Sequence, residues 1–535
     1  MIGKLRQNLL IAMSPNVPLD VWYLIADNLR QFELPPLLLV SRLHRLVALK
    51  RLFSHLRICF AYPHSDNTPY ALLEVTRDET MSLAWDMLSK ARCDKTFASV
   101  VQRITIYYST DELRNVDRFH NGVIMEALKA LRNLSSFSWV GNGSPLMDIL
   151  EKLPTCCPKL QEISITYVPF TLAIFQNDSC LPDLDSIDDT IALEHSTFPP
   201  TGLSSVLYLY DPTAYMADYS NDHSYHVNGL VGASESMIRS LSICSEPLWR
   251  IPVRVFGNLS HLEIFLGQDM ENITLIFRYA GQLEHLSVLG LDSCAVFSLF
   301  QDYPNSLPSL RSFKIISPYR GWKPEVGIQE SEFLSMVRFL QDKELRALDI
   351  HLWPQEWSSF EPFWYLLRQL PSLEVLGVTT RSKVFTRNDF LSFAMVLPPR
   401  LSALRVSATW DIGGEEENDG CRSFVRVLHH SSHVLPLTTR YLLQIESLND
   451  ISFFYMRNFG RSFAFLSDEL AQELPSAKIL GLDQVMSYIH RDGDNLIEIE
   501  NWSARRCFTR TVEDFDGNED WEWLMRYHNL GEWAW

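Results

Sequence analysis

Nothing in the cysteine pattern of this chain points to a disulfide framework or a structural zinc. Its nine cysteines are odd in number and scattered, Cys156 and Cys157 adjoin each other, and no Cys-x-x-Cys or Cys/His metal spacing occurs. They read as reduced, mostly buried thiols of a cytoplasmic or nuclear protein. Long apolar runs are missing too: none reaches the roughly 18 residues of a membrane span. The stretch from Leu9 to Ala12, behind Lys4 and Arg6, is too short for a signal segment. The triplets at Asn133, Asn258, Asn272 and Asn501 would carry sugar only in a secreted chain. Positive charge is scarce, with 47 Lys and Arg against 65 Asp and Glu, a net charge of −18. That balance excludes general nucleic-acid binding, which requires a basic face to neutralise phosphates.

Catalytic and ligand-holding motifs are equally short. Gly141-Asn-Gly143 has no third glycine and no Lys-Ser/Thr, so it cradles no phosphate. Asp514-Phe-Asp516-Gly-Asn518 begins like a calcium loop, but its sixth position is Glu519 instead of glycine and its twelfth is Met525 instead of glutamate. His429 and His430 are neighbours and point apart on any regular backbone. Neither Gly-x-Ser-x-Gly nor His-Glu-x-x-His is present. The sequence predicts no catalytic residue, no cofactor and no metal.

What the chain has is apolar surface and repetition. Its 535 residues are 46% hydrophobic and 21% charged, which is globular composition in a chain too long for one compact core. Residues 14–58 read as short helices with more apolar side chains than they can bury among themselves. Val21, Ile25 and Leu29 form a stripe with Leu24 beside it, and Pro18 and Asp20 suit a helix start. Glu33 precedes Pro35 and Pro36, where a second helix begins and runs through Leu37, Leu38 and Val40. A third apolar run, from Leu46 through Leu52 and Phe53 to Ile58, is interleaved with basic residues.

This segment resembles an F-box. Val17, Pro18, Asp20 and Val21 match its opening, Ile25 and Leu29 its first helix, and Glu33 with Leu34 its acidic-Leu pair. Val40, Ser41, Arg42 and Arg45 match the next block, and Leu52 and Phe53 the last. It departs from the family at Val17, at Pro35-Pro36 and at His44, where many members carry Trp. The resemblance implies docking on the Skp-type adaptor of an SCF ubiquitin ligase, and through it on a cullin scaffold. Its contact residues would be Pro18, Leu24, Ile25, Leu29, Leu34, Leu38, Val40 and Phe53.

From Val101 onward one phrase recurs, Leu-x-x-Leu-x-Φ with Φ apolar. Its copies include Val101-Ile104-Ile106, Leu134-Phe137-Trp139, Leu160-Ile163-Ile165 and Ile238-Leu241-Ile243. Others start at Leu259, Leu283, Leu310, Leu345, Leu373 and Leu401, a step of about 24 to 35 residues. Weaker copies lie at Leu203–Leu209 and Ala477–Leu482. The alternating pair predicts a short strand, the intervening residues often read helical, and Leu-Pro at 153–154, 307–308, 370–371 and 397–398 is expected to close those helices. The copies resemble degenerate leucine-rich repeats, as found behind fungal-type F-boxes, without the Asn or Cys that serves the turn after the strand.

The expected fold class is therefore α/β: F-box helices followed by an irregular leucine-rich-repeat solenoid with parallel strands. The expected plan is a tail at 1–13, the F-box at 14–58, a helical connector at 59–100 and the solenoid at 101–410, with an insertion near 176–236. An acidic loop and irregular segment follow at 411–470, then a terminal repeat with a Trp-rich C-terminal cap at 471–535. The expected partners are the adaptor and a protein substrate, with no nucleic acid and no membrane. A repeat scaffold without a ubiquitin role, its first helices serving only as a cap, is the alternative.

Overall fold

The computed structural model of the chain describes residues 18–27, 29, 34–60, 77–108, 116–141, 147–167, 203–209, 231–232, 234–244, 248, 251–266, 273–290, 296–316, 329–352, 360–385, 392–393, 395–410, 451–458, 467–483, 485–493, 495–502 and 512–526. Two compact units emerge, Met1–Met216 with Gly229–Met237, and Ala217–Asn228 with Ile238–Trp535. Each is mixed α/β, with an open, mostly parallel sheet in which every strand lies beside its successor in the chain.

In the first unit, helix α1 (Leu19–Asp27), a 3-10 turn (Pro35–Leu39) and helix α2 (Arg42–Phe53) lead into strand β1 (His55–Cys59). Pro35 and Pro36 sit in the first positions of the 3-10 turn, where no helical donor is missed. Ser41 caps α2, its hydroxyl oxygen accepting the His44 backbone N–H at 3.3 Å. Then come α3 (Arg77–Cys93), α4 (Lys95–Val100), β2 (Arg103–Tyr108), α5 (Val116–Ala130), β3 (Ser136–Gly141), α6 (Met147–Cys156), β4 (Glu162–Tyr167) and β5 (Ser205–Leu209). Strands β1 to β5 pair in parallel.

Two expectations change here. The apolar run ending at Ile58 is not helical to its end. Leu49, Leu52, Phe53 and Leu56 fit a helical period, yet Leu56 and Ile58 alternate inward as strand residues of β1. The sheet thus starts one strand before the Val101 copy. Pro154 does not end its helix but lies in the last turn of α6, which stops two residues later at Cys156.

The second unit repeats the alternation: β6 (Ser240–Cys244), α7 (Val253–Phe256), β7 (His261–Leu266), α8 (Thr274–Tyr279), β8 (His285–Gly290), α9 (Val296–Asp302), β9 (Ser312–Ile316) and α10 (Glu330–Gln341). It continues through β10 (Ala347–Leu352), α11 (Glu361–Arg368), β11 (Val375–Phe385), β12 (Ala403–Trp410), β13 (Phe453–Asn458), α12 (Ser467–Glu473) and β14 (Ile479–Leu482). Strands β15 (Val485–Asp492) and β16 (Asn495–Asn501) add an antiparallel edge. A 3-10 turn (Val512–Phe515) and helix α13 (Glu519–Met525) follow. Strand β13 falls inside the segment expected to be irregular. Its phrase, Ile451-x-x-Phe454-x-Met456, keeps the spacing without a leucine. The acidic loop 411–420 and residues 176–202 of the expected insertion lie outside the described residues.

Register explains the phrase. Leu241, Leu262, Leu286, Phe313, Leu348, Leu376, Leu404, Phe454 and Leu480 stand side by side across the second sheet. A second row runs from Ile243 through Ile264, Val288, Ile315, Ile350, Val378, Val406 and Met456 to Leu482, and both rows are buried. The carbonyl just before each strand accepts two N–H groups from the next repeat, as Ser260 O does from Glu284 and His285, and Arg346 O from Glu374 and Val375. Serine hydroxyls at this position bond the preceding carbonyl as well, Ser260 to Arg239 at 3.2 Å and Ser402 to Glu374 at 3.1 Å.

Candidate functional site

Two surfaces carry features beyond folding, one in each unit. In the first, the N-terminal helices close a small core from Trp22, Ala26, Leu34, Leu37, Val47 and Ala48, with Tyr23, Leu29, Leu38 and Leu52 packed on it. On α1 it is therefore Trp22 and Ala26 that turn inward. Val21, Leu24 and Ile25 are left outside, Leu24 at 63% exposure. Pro18 is exposed as well. Leu39 (89% exposed), Val40 and Leu43 are exposed too. Of the fifteen large apolar side chains exposed among the described residues, seven fall within residues 19–43. Such a concentration marks an interaction surface more than scattered single residues do.

The sequence-predicted contact residues divide accordingly. Pro18, Leu24, Ile25 and Val40 are outside. Leu34 is fully inside and acts as core, not contact. Leu29 and Leu38 pack against that core. Phe53 is half-buried against Phe97 of α4, ring centres 5.2 Å apart, with the Lys90 ammonium 6.0 Å from its ring. Leu19, Leu39 and Leu43, which sequence reasoning passed over, belong to the exposed set. In Pro35-Pro-Leu-Leu-Leu39 only three-residue-per-turn geometry tells which leucine faces out. His44 is buried edge-on to Trp22 at 4.4 Å, where burial lowers its pKa.

The second surface is the sheet face opposite the leucine rows. Across it run Ser242, Glu263, Ser287, Lys314, Asp349, Gly377, Arg405, Tyr455 and Gly481. Asp349 is fully buried and bridges two cations. Lys314 Nζ lies 3.4 Å from its Oδ2, and Arg405 reaches its Oδ1 across the strand between them. That strand supplies Gly377, where an added Cβ would stand 2.3 Å from Asp349 Oδ1. Arg405 also donates to Thr379 Oγ1 at 3.0 Å. Burial favours a neutral Asp349, but Arg405, Lys314 and His351 outweigh it and hold the carboxyl below its usual value. Burial brings Lys314 down to about 8, against the pull of Asp349.

Helix α13 lies on this face. Gly517, in the left-handed region at φ +81°, turns the chain into it, and Asn518 caps it by accepting the Trp521 N–H at 3.1 Å. Glu519, Asp520 and Glu522 suit its positive end. Trp521, Leu524, Met525, Phe515 and Trp502 form one cluster with Ala347, Val375, Ala403, Phe453 and Ile479, and Trp521 stacks on Phe453 at 5.7 Å. Lys314 donates to the Trp523 and Arg526 carbonyls and sits 4.4 Å from the Trp523 ring centre. Arg346 pairs with Asp520, and Arg526 with Glu263 and Glu522. Trp521 and Trp523 are thus spread over the sheet face, while the antiparallel strands β15 and β16 form its last edge.

His261 and His285 stack on neighbouring strands with ring centres 4.0 Å apart. Burial, then the His261 ring, Arg346 and Arg311, bring His285 down to about 4. An unfolded chain protonates this residue near 6.5, so the folded state's advantage is complete above that pH and is lost as pH falls from 6.5 towards 4. His285→Gln should flatten the thermal stability of the protein across that window. An unchanged pH slope in the variant would contradict the assignment.

Among the described residues no group of three His, Cys, Asp or Glu side chains converges as a metal site, and no helix is long and apolar enough to cross a membrane. Compared with known proteins, the sequence matches no family model and no curated relative.

Proposed function

We propose that the chain recruits substrates to an SCF-type ubiquitin ligase. Its N-terminal helices are F-box-like and dock on the Skp-type adaptor. Its strand–helix repeats form an irregular leucine-rich-repeat solenoid that holds a protein substrate. The observation that carries this reading is the exposure of seven large apolar side chains, Leu19, Val21, Leu24, Ile25, Leu39, Val40 and Leu43, on a segment whose own core is already closed. A helical cap serving only the first repeat would have turned those side chains towards the sheet.

No covalent step takes place on this chain. It acts by proximity, raising the effective concentration of substrate lysines around a bound ubiquitin-charged enzyme. The setting is the cytoplasm or nucleus. Co-expression with a Skp-type adaptor tests the reading: the intact chain should purify with it. Recovery of a folded chain without adaptor would put the scaffold reading in its place. One contact favours that second reading, Phe53 against Phe97, which ties α2 to α4 as a cap would be tied.

A further inference from the structure

The two faces of the second sheet are both covered, yet their compositions differ. Every position of the two rows facing the helices is apolar. The central row of the other face holds Glu263, Lys314, Asp349 and Arg405. Desolvating charges costs several kcal/mol per ion, and a face covered for good is served as well or better by apolar residues. Charges suit a face that opens to water.

The groups that hold α13 there fit the same view. Lys314 grips main-chain carbonyls at the end of α13, which any helix of suitable length offers. Arg346 takes an acidic side chain in a half-exposed pair, and Phe453 takes an aromatic ring. Burial, opposed by Arg346 and helped by Glu374 and Glu519, pushes the Asp520 carboxyl up.

We propose that this face, around Lys314, Arg346, Gly377 and Phe453, is a binding site for an acidic helical segment bearing a tryptophan, that α13 is its resident occupant, and that a protein partner enters by displacing it. From the function proposed above it takes only that the repeats hold a protein partner. Adaptor binding can fail while displacement succeeds, and the reverse.

The probe is a fluorescein-labelled peptide of residues 512–530, titrated into the full-length protein and followed by anisotropy. Asp520→Arg in the protein loosens the resident helix and should raise peptide affinity about tenfold over the unmodified chain. Adding Arg346→Asp should remove that gain, because the swapped charges pair the resident helix again and repel the acidic peptide. Equal affinity of the folded Asp520→Arg protein and the unmodified chain overturns the proposal. Should the variant misfold, hydrogen exchange on the unmodified protein decides. Amides of 519–526 are expected to exchange at least about a hundredfold faster than those of β11, through local opening. Equal protection in the two segments overturns it.

Discussion

Asp349→Ala is expected to destabilise the second unit by about 3–5 kcal/mol, the usual cost of removing one partner from a buried ion network. The reason is geometric. Asp349 is the carboxylate between Lys314 and Arg405, all three almost entirely withdrawn from water. Without it two cations face each other across Gly377 in a low-dielectric interior. Denaturant unfolding read by tryptophan fluorescence measures the loss, because Trp521 and Trp523 lie on the affected face. Replacing all three, Lys314→Met, Asp349→Leu and Arg405→Met, should recover most of it, since charge and counter-charge leave together. A loss below about 1 kcal/mol in the single variant would mean that water reaches the site and screens it. Gly377→Ala strikes the same place sterically, its Cβ meeting Asp349 Oδ1 at 2.3 Å and Leu524 Cδ1 at 2.9 Å. Acid acts in the same direction. The lowered Asp349 carboxyl contributes stability above its ordinary value of 3.8, and the contribution is lost as pH falls through the folded value.

Ile25→Asp should weaken the adaptor complex by at least about a hundredfold while leaving the fold intact, an effect typical of a charge placed at an interface centre. Ile25 is 39% exposed and stands outside the Trp22–Ala26 core, so aspartate there meets water in the free chain and apolar surface only in the complex. Leu34→Asp separates folding from docking. Leu34 is fully inside that core, and its replacement should unfold the N-terminal helices and abolish binding by that route. Equal adaptor affinity of Ile25→Asp and the unmodified chain would remove α1 from the interface. Excising residues 14–58 is a poor test, because it takes β1 with it and bares the edge of β2.

The strand phrase was legible because it rests on a local rule. Alternate side chains of a strand share a face, and rows such as Leu241 to Leu480 needed only that alternation plus a period. Strand β13 was missed because Ile451, Phe454 and Met456 keep the spacing without the residue that announces it. The end of α2 was missed because a helical and a two-residue period coincide at Leu56. The charged face was out of reach altogether. Lys314, Asp349 and Arg405 occupy the polar position within each strand phrase, where one strand alone predicts a solvated side chain. Only parallel pairing brings them together, and only the fold-back of residues more than 200 positions later covers Lys314. The N-terminal surface was half legible. Leu24, Ile25 and Val40 follow from motif and stripe, whereas the inward turn of Leu34 and the outward turn of Leu39 depend on the 3-10 geometry between α1 and α2.

Adaptor recruitment through the α1 surface is the claim on which the functional account turns. Its most direct measurement is size-exclusion chromatography with light scattering on mixtures of a purified Skp-type adaptor with the intact chain and with its Ile25→Asp variant. The intact chain should form a one-to-one complex, and variant and adaptor should elute separately, with variant and parent showing the same circular dichroism. Separate elution of the well-folded intact chain from the adaptor would contradict it.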